Sequence, residues 1–86
     1  MKNEDIIAKA AITAGIITEE EVTKLFNQGR ELPIHTLQGW NRRGNYRVKA
    51  GEVPLEAKLW KKKDGEQGGF YLAKAKLYTK DQMEAY

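Results

Sequence analysis

The apolar period of this chain changes once, at Gly44–Asn45, from three- and four-residue steps to strict alternation. A helix-period pattern does not settle as a strand, nor the reverse, so that change sets the fold class: helices first, then a small sheet, in an α+β arrangement. Before the break, Asn3 is placed to cap a helix over residues 4 to 14, with Glu4 and Asp5 at the positive end of its dipole. Ile6, Ile7, Ala10, Ala11 and Ala14 form its apolar stripe, and Gly15 suits the left-handed position that follows. Thr18 with Glu21 makes a capping box, and Ile17 with Val22 a hydrophobic staple, for a second helix that ends over Asn27 to Gly29. The two are expected to pack as a helical hairpin over residues 1–29. Leu32-Pro33 marks a connection, and Thr36 caps a short third helix running to Arg43, with Gly44 as its stop. Gly39 weakens that helix by about 1 kcal/mol relative to alanine, so packing has to hold it.

After the break, Tyr46 and Val48 alternate with Arg47 and Lys49 in a short strand that ends at Ala50-Gly51. Two longer strands are expected, Leu55 to Lys62 and Phe70 to Tyr78, as an antiparallel C-terminal β-hairpin whose flexible loop spans 63–69. Thr79 then caps a last helical turn through Gln82, with Met83 and Tyr86 returning toward the core. Alternation sorts the hairpin into faces. Leu55, Ala57 and Leu59 face inward with Ala73, Ala75 and Leu77, whose small side chains leave room for a helix. Lys58, Trp60, Lys62, Lys74, Lys76 and Tyr78 face outward, beside Glu56, Phe70 and Leu72. Trp40, at helical spacing from Leu37, belongs to the core, as do Tyr71 and Leu77.

Charge is regional. Residues 1–29 carry three lysines against five carboxylates, a net of −2, so the +3 of the whole chain leaves +5 on residues 30–86. Between Thr36 and Tyr78, lysines and arginines are interleaved with Trp40, Tyr46, Trp60, Phe70, Tyr71 and Tyr78. Cations that pair phosphates, among rings that stack on bases, are what a holder of single-stranded nucleic acid needs. The plainer account of the same residues is a solvated sheet face, because lysine stems cover apolar surface and also blunt edge pairing. Trp60 fits either account, as an exposed ring or as a lid on the core edge, and Tyr46 fits either as well. Arg42 and Arg43 suit the negative end of the third helix, and with Arg47 and Lys49 nearby they also make a cationic corner for consecutive phosphates.

With 86 residues the chain has length for one domain and a modest core, not for a walled catalytic cleft. It has no cysteine, no serine and one histidine, His35, whose ordinary role is that of a satisfied or exposed loop residue. Zinc sites built from His and Cys and a serine nucleophile are thereby excluded. Gly65, Gly68 and Gly69 lack the strand-to-helix context of a phosphate-binding loop. No enzymatic activity and no cofactor or metal is expected. No apolar run approaches the ~20 residues of a membrane span, and MKNED lacks the basic-then-apolar order of a secretory signal. A cytoplasmic protein is expected.

The stretch Thr36-Leu37-Gln38-Gly39-Trp40-Asn41-Arg42-Arg43-Gly44-Asn45-Tyr46-Arg47-Val48-Lys49-Ala50-Gly51-Glu52 resembles the N-terminal single-stranded-DNA-binding domain of ArdC-type antirestriction proteins. That family has a threonine-started helical turn with Trp, a basic pair, Gly, an aromatic, then Val-Lys-Lys-Gly-Glu, and the run Phe70 to Gln82 is similar to its following strand. The resemblance covers about half of the chain, from the third helix onward. Asn45 stands as an insertion, Ala50 replaces the second lysine, and the hairpin loop is this chain's own. The HExxH metalloprotease domain of full-length relatives has no counterpart here, so no protease activity follows. The resemblance implies single-stranded DNA binding in a plasmid, phage or other mobile-element setting, with Trp40, Arg42, Arg43, Tyr46, Arg47 and Lys49 at the matching positions.

The expected function is therefore sequence-independent binding of single-stranded DNA. Arg42, Arg43, Arg47, Lys49, Lys58, Lys62, Lys74 and Lys76 are the candidate phosphate contacts, and Tyr46, Trp60 and Tyr78 the candidate stacking rings. The rival expectation is a protein-interaction module of a phage or plasmid, which meets a host or mobile-element protein through the Trp60 face or the acidic helices. A reader of duplex DNA through residues 36–43 is disfavoured by the shortness of that helix and by Gly39.

Overall fold

A computed structural model describes residues 2–63 and 68–86 as three helices and five strands: α1 (Asn3–Thr13), α2 (Glu19–Asn27), β1 (Ile34–His35), α3 (Leu37–Asn41), β2 (Tyr46–Val48), β3 (Leu55–Lys62), β4 (Phe70–Thr79) and β5 (Met83–Ala85), with a 3₁₀ turn, Lys80–Gln82, between the last two strands. The α+β class read from the period change holds. The strands form two antiparallel sheets, one ordered β1-β4-β3 and the other pairing β2 with β5.

The long hairpin has the register that the alternation requires. Ala57 pairs with Ala75, Leu59 with Ala73 and Leu55 with Leu77, so the small apolar residues share one face. Helix α1 lies against β3. Ala11, Ile34, Leu59, Ala75 and Leu77 form the core, with Ile6, Ile7, Ile17, Leu55 and Ala57 around them. A second cluster joins α1 to α2 through Ala8, Val22 and Leu32, with Ile7, Ile12, Ile17 and Leu25 packed on it. Ala8 rather than Ala14 completes the buried stripe of α1; Ala14 is exposed. Thr18 caps α2 as expected, accepting from the Glu21 backbone N–H at 3.1 Å.

Several local features differ from the sequence expectation. Lys2, not Asn3, is the N-cap of α1, and Asn3 sits inside the helix, where its amide does other work. The third helix stops at Asn41, because Arg42 and Arg43 already belong to the turn that leads into β2. Its cap is the expected one, Thr36 Oγ1 accepting from Gly39 N–H at 3.1 Å. Residues 34–35 are a short strand on the end of β4, and residues 83–85 are a strand on β2. The expected strand after Asn45 ends at Val48. The 3₁₀ turn falls where Thr79 was expected to cap a helical turn, and Gln82 closes it by accepting from the Thr79 backbone N–H at 2.9 Å. Met83 is buried as expected, whereas Tyr86 is exposed. Tyr71 is 42% exposed, not core. It occupies the inner face at the loop end of the hairpin, opposite Lys61. Helix α1, with 11 residues, is ~16 Å long and cannot cover the ~33 Å of β4. The flexible loop expected over 63–69 lies for the most part outside the described residues; at its base Lys63 N–H donates to the Gly69 carbonyl at 2.9 Å.

Candidate nucleic-acid interface

The face of β3 and β4 turned away from α1 presents four cross-strand pairs in sequence: Glu56 with Lys76, Lys58 with Lys74, Trp60 with Leu72, and Lys62 with Phe70. Each arises from alternation on a hairpin whose opposite face is committed to the core. All eight residues are exposed, Trp60 at 40%, Leu72 at 47% and Phe70 at 66%. The result is an apolar patch of one indole, one phenyl ring and one isobutyl group, bordered by Lys58 and Lys74 on one side and Lys62 on the other. Among the described residues, none of these lysines has a carboxylate within 4 Å.

Lys58 and Lys74 stand directly opposite each other. Like charges in that relation are destabilising by a few tenths of a kcal/mol up to ~1 kcal/mol, so the free fold carries a cost at this position. An anion lying between the two ammonium groups removes it. Lys76 faces Glu56 across the strands, and the two are not within 4 Å as an ion pair.

Asn3 fixes the edge of this platform. Its carboxamide oxygen accepts from the Trp60 backbone N–H at 2.7 Å, and its NH₂ donates to the Trp60 carbonyl at 3.1 Å. The side chain thus acts as one residue of an added strand and holds the backbone of Trp60. Lys2 and Asn3 line a shallow groove with Trp60 and Phe70. The sequence gives no sign of this contact, which spans 57 positions. Phe70 and Leu72 were legible on the outer face but absent from the expected site; the signal was the alternation itself, which leaves them no core partner.

The cationic corner is built differently. Trp40 is buried, donates from Nε1 to the Tyr78 carbonyl at 3.0 Å, and meets His35 and Tyr46 edge-on at 4.9 and 5.3 Å between ring centroids. Tyr46 is therefore half-buried against Trp40, and Tyr78, also half-buried, pairs with His35 at the far end of the sheet from Trp60. Arg43 is engaged within the fold: Nε and Nη2 donate to the two carboxylate oxygens of Glu31 at 2.7 and 2.6 Å, and Nη1 donates to the Gly39 carbonyl at 2.6 Å. That fork lowers the pKa of Glu31 through the Arg43 hydrogen bond and raises that of Arg43 in return. His35 is held below the usual histidine range by burial first and the Arg43 charge second, against the opposing pull of Glu31 at 3.7 Å. The His35–Glu31 contact is thus not an ion pair at neutral pH.

Arg47 donates to Glu84 Oε1 at 2.7 Å across the β2–β5 pair and sits 5.8 Å above the Tyr86 ring. Its side chain is still 64% exposed, so the pair is worth at most ~1 kcal/mol. Arg42 and Lys49 are exposed, and among the described residues neither is in an ion pair. Apart from Tyr78, which was expected on the outer face with the lysines but is half-buried beside β1 and Trp40, the expected residues fall into two groups. Lys58, Trp60, Lys62, Lys74 and Lys76 share one continuous sheet face. Arg42, Arg43, Tyr46, Arg47 and Lys49 surround the β2–β5 ribbon, where Arg43 and Tyr46 serve the packing of α3.

No helix among the described residues is long and apolar enough to cross a membrane, and among them no three His, Asp or Glu side chains cluster as a metal site would need. No family model matches the chain, and no curated protein or solved structure matches it.

Proposed function

We propose that this domain binds single-stranded DNA, largely without sequence preference, across the outer face of β3 and β4, in a cytoplasmic antirestriction or mobile-element role. The observation that carries the reading is the directly opposed pair Lys58 and Lys74, free of carboxylates within 4 Å among the described residues, next to exposed Trp60 and Phe70. A strand laid along this face sets phosphates by the lysines and bases on the rings, where each stacked base contributes ~1–3 kcal/mol. Arg42 and Lys49 extend the cationic surface at the β2–β5 ribbon, in keeping with the likeness of residues 36–52 to the DNA-binding domain of ArdC-type proteins. The mode is binding, not chemistry.

A labelled oligonucleotide titrated at two salt concentrations tests this. Four lysines on the face (Lys58, Lys62, Lys74, Lys76), at about −0.7 per neutralised phosphate on a single strand, give a slope of log K against log salt of roughly −3. A matching duplex should bind more weakly, because its bases are not free to stack. Absence of binding at low salt, or binding that salt leaves unchanged, refutes the proposal.

A second reading rests on Phe70, whose 66% exposure beside Leu72 and Trp60 also suits a protein partner of a phage or plasmid. Replacing Phe70 and Leu72 with serine while keeping every lysine separates the two. DNA binding then keeps its salt slope, whereas a protein contact built on the apolar patch is lost.

A further inference from the structure

The sheet has two edges, and the chain covers each only in part. On the β3 edge, which has no strand beyond it among the described residues, Asn3 interrupts the run at one position by occupying both backbone groups of Trp60. On the β4 edge, β1 covers only Tyr78 and Thr79. The seven residues Phe70–Lys76 have no strand beyond them among the described residues.

The direction of the backbone groups along that edge follows from Asn3. Because Trp60 turns its N–H and C=O outward to Asn3, Trp60 and Leu72 form a non-hydrogen-bonded pair in the β3–β4 ladder. The Lys63–Gly69 bond at the hairpin base fits the same phase. Hence Phe70, Leu72, Lys74 and Lys76 direct their N–H and C=O away from β3, into the open edge. Unpaired edges of this kind are templates for another strand.

We propose that the open edge of β4 pairs with the same edge of a second copy of this chain, antiparallel about a two-fold axis at Ala73, giving a continuous β3–β4–β4–β3 sheet. The register is self-complementary. With Ala73 on the axis, Leu72 meets Lys74 of the other copy and Phe70 meets Lys76, each as a hydrogen-bonded pair, so every outward N–H and C=O from Phe70 to Lys76 is used. No lysine then faces a lysine across the new boundary, and the lysine stems lie along Leu72 and Phe70. Tyr71 meets Ala75 on the other face, filling space that α1 leaves uncovered. The adjacent register, with Lys74 on the axis, sets like charges opposite each other and is disfavoured. In this register β4 begins at Phe70, two positions short of the other copy's His35, and Gly69 and Gly68, at φ 93° and 56°, break the extended run before that point.

The inference is independent of DNA binding, and the two respond to salt in opposite senses. Two basic sheets repel less as salt rises, so self-association strengthens where oligonucleotide binding weakens. The chain has no cysteine, which allows a direct test. In a non-hydrogen-bonded antiparallel pair the Cα atoms are about 4.5 Å apart, within the range a disulfide spans. Ala73→Cys under mild oxidation should therefore give a covalent dimer several times faster than Lys58→Cys, a thiol on the same sheet but one strand removed from the axis. Sedimentation equilibrium of the unmodified protein should show a concentration-dependent doubling of mass, abolished by Leu72→Pro, which removes an outward N–H while sparing the bonds to β3. Equal cross-linking of the two cysteine variants overturns the proposal, as does an unmodified protein that stays monomeric at its highest soluble concentration.

Discussion

Lys74→Glu should make the fold more stable and the proposed binding weaker, and the two effects can be sized from the cross-strand register. Lys74 faces Lys58 in the ladder phase that brings side chains closest, with both side chains exposed. Removing a like-charge pair and installing an opposite one gains about 0.2–1 kcal/mol at each step. Glu56 lies diagonally across from position 74 and takes back part of that gain, and screening keeps exposed pairs at the low end. A net stabilisation of about 0.5 kcal/mol remains, which raises Tm by roughly 2–4 °C in a domain of this size. For single-stranded DNA the same change deletes one phosphate partner and adds a repulsive carboxylate. Affinity at low salt should fall at least tenfold, and the salt slope should flatten by about 0.7.

Thermal unfolding and fluorescence anisotropy on the same preparation give both numbers. Unchanged affinity would make Lys74 a solvated lysine and remove the principal support for the platform. Lost affinity with lost stability would trace the effect to a damaged sheet rather than a missing phosphate contact. Lys74→Thr, which removes the repulsion without a new charge, should fall between the parent and Lys74→Glu in affinity.

Four further outcomes are expected. Asn3→Ala deletes both bonds to the Trp60 backbone and should cost about 1–2 kcal/mol by urea unfolding followed through tryptophan fluorescence; a cost under ~0.3 kcal/mol would mean that water replaces the amide without loss. Gly39→Ala improves helix propensity by about 1 kcal/mol, yet its new Cβ would lie 3.0 Å from His35 Cβ and 3.4 Å from Thr36 Oγ1, so a lowered Tm is expected, and a raised one would show that β1 yields. Trp40→Phe keeps a ring but leaves the Tyr78 carbonyl without its 3.0 Å donor, for a loss of about 1–2 kcal/mol measured in the same way. For pH, the depressed His35 pKa means the unfolded chain binds a proton more readily than the fold, so stability declines as pH falls below 6.5 and levels off beneath the folded-state value. The depressed Glu31 pKa adds a second decline below 4.5, continuing through its folded-state value. A urea midpoint unchanged between pH 7.5 and pH 3 would refute both steps.

The sheet faces are legible in the sequence because alternation is a local property and the hairpin obeys it: pattern alone places Ala57, Leu59, Ala75 and Leu77 inward and Lys58, Trp60 and Lys74 outward. Where the sequence fell short, the deciding partner lay far along the chain. Asn3 has good N-cap chemistry, but the free backbone groups of Trp60 offer it two bonds instead of one. β1 and β5 are two and three residues long, too short for any period, and exist because β4 and β2 hold open edges next to them. Tyr71 follows the alternation and still stays exposed, since the helix that covers its face ends short of it. Arg43 carried the same charge signal as Arg42, and only Glu31, brought across from the end of α2 by the 28–33 connection, separates them.

The same contacts divide the motif at residues 36–52 from the sheet face. Of the six positions that carry the resemblance, Trp40 and Tyr46 pack α3, Arg43 is locked to Glu31 and Gly39, and Arg47 is shared with Glu84. Each has an architectural role that accounts for its residue type without any ligand. Arg42 and Lys49 are the two that have no ion-pair partner among the described residues. A motif whose members mostly serve packing speaks for the build of the corner more than for what the corner holds, whereas Lys58 and Lys74 oppose each other at a cost that packing does not explain. Charge reversal at Arg42 and Lys49 and charge reversal at Lys58 and Lys74 are therefore distinct experiments. If only the second abolishes DNA binding, the platform is the sheet and the corner is scaffold; if only the first does, the opposed lysines are a solvated face and the binding strand runs along the β2–β5 ribbon.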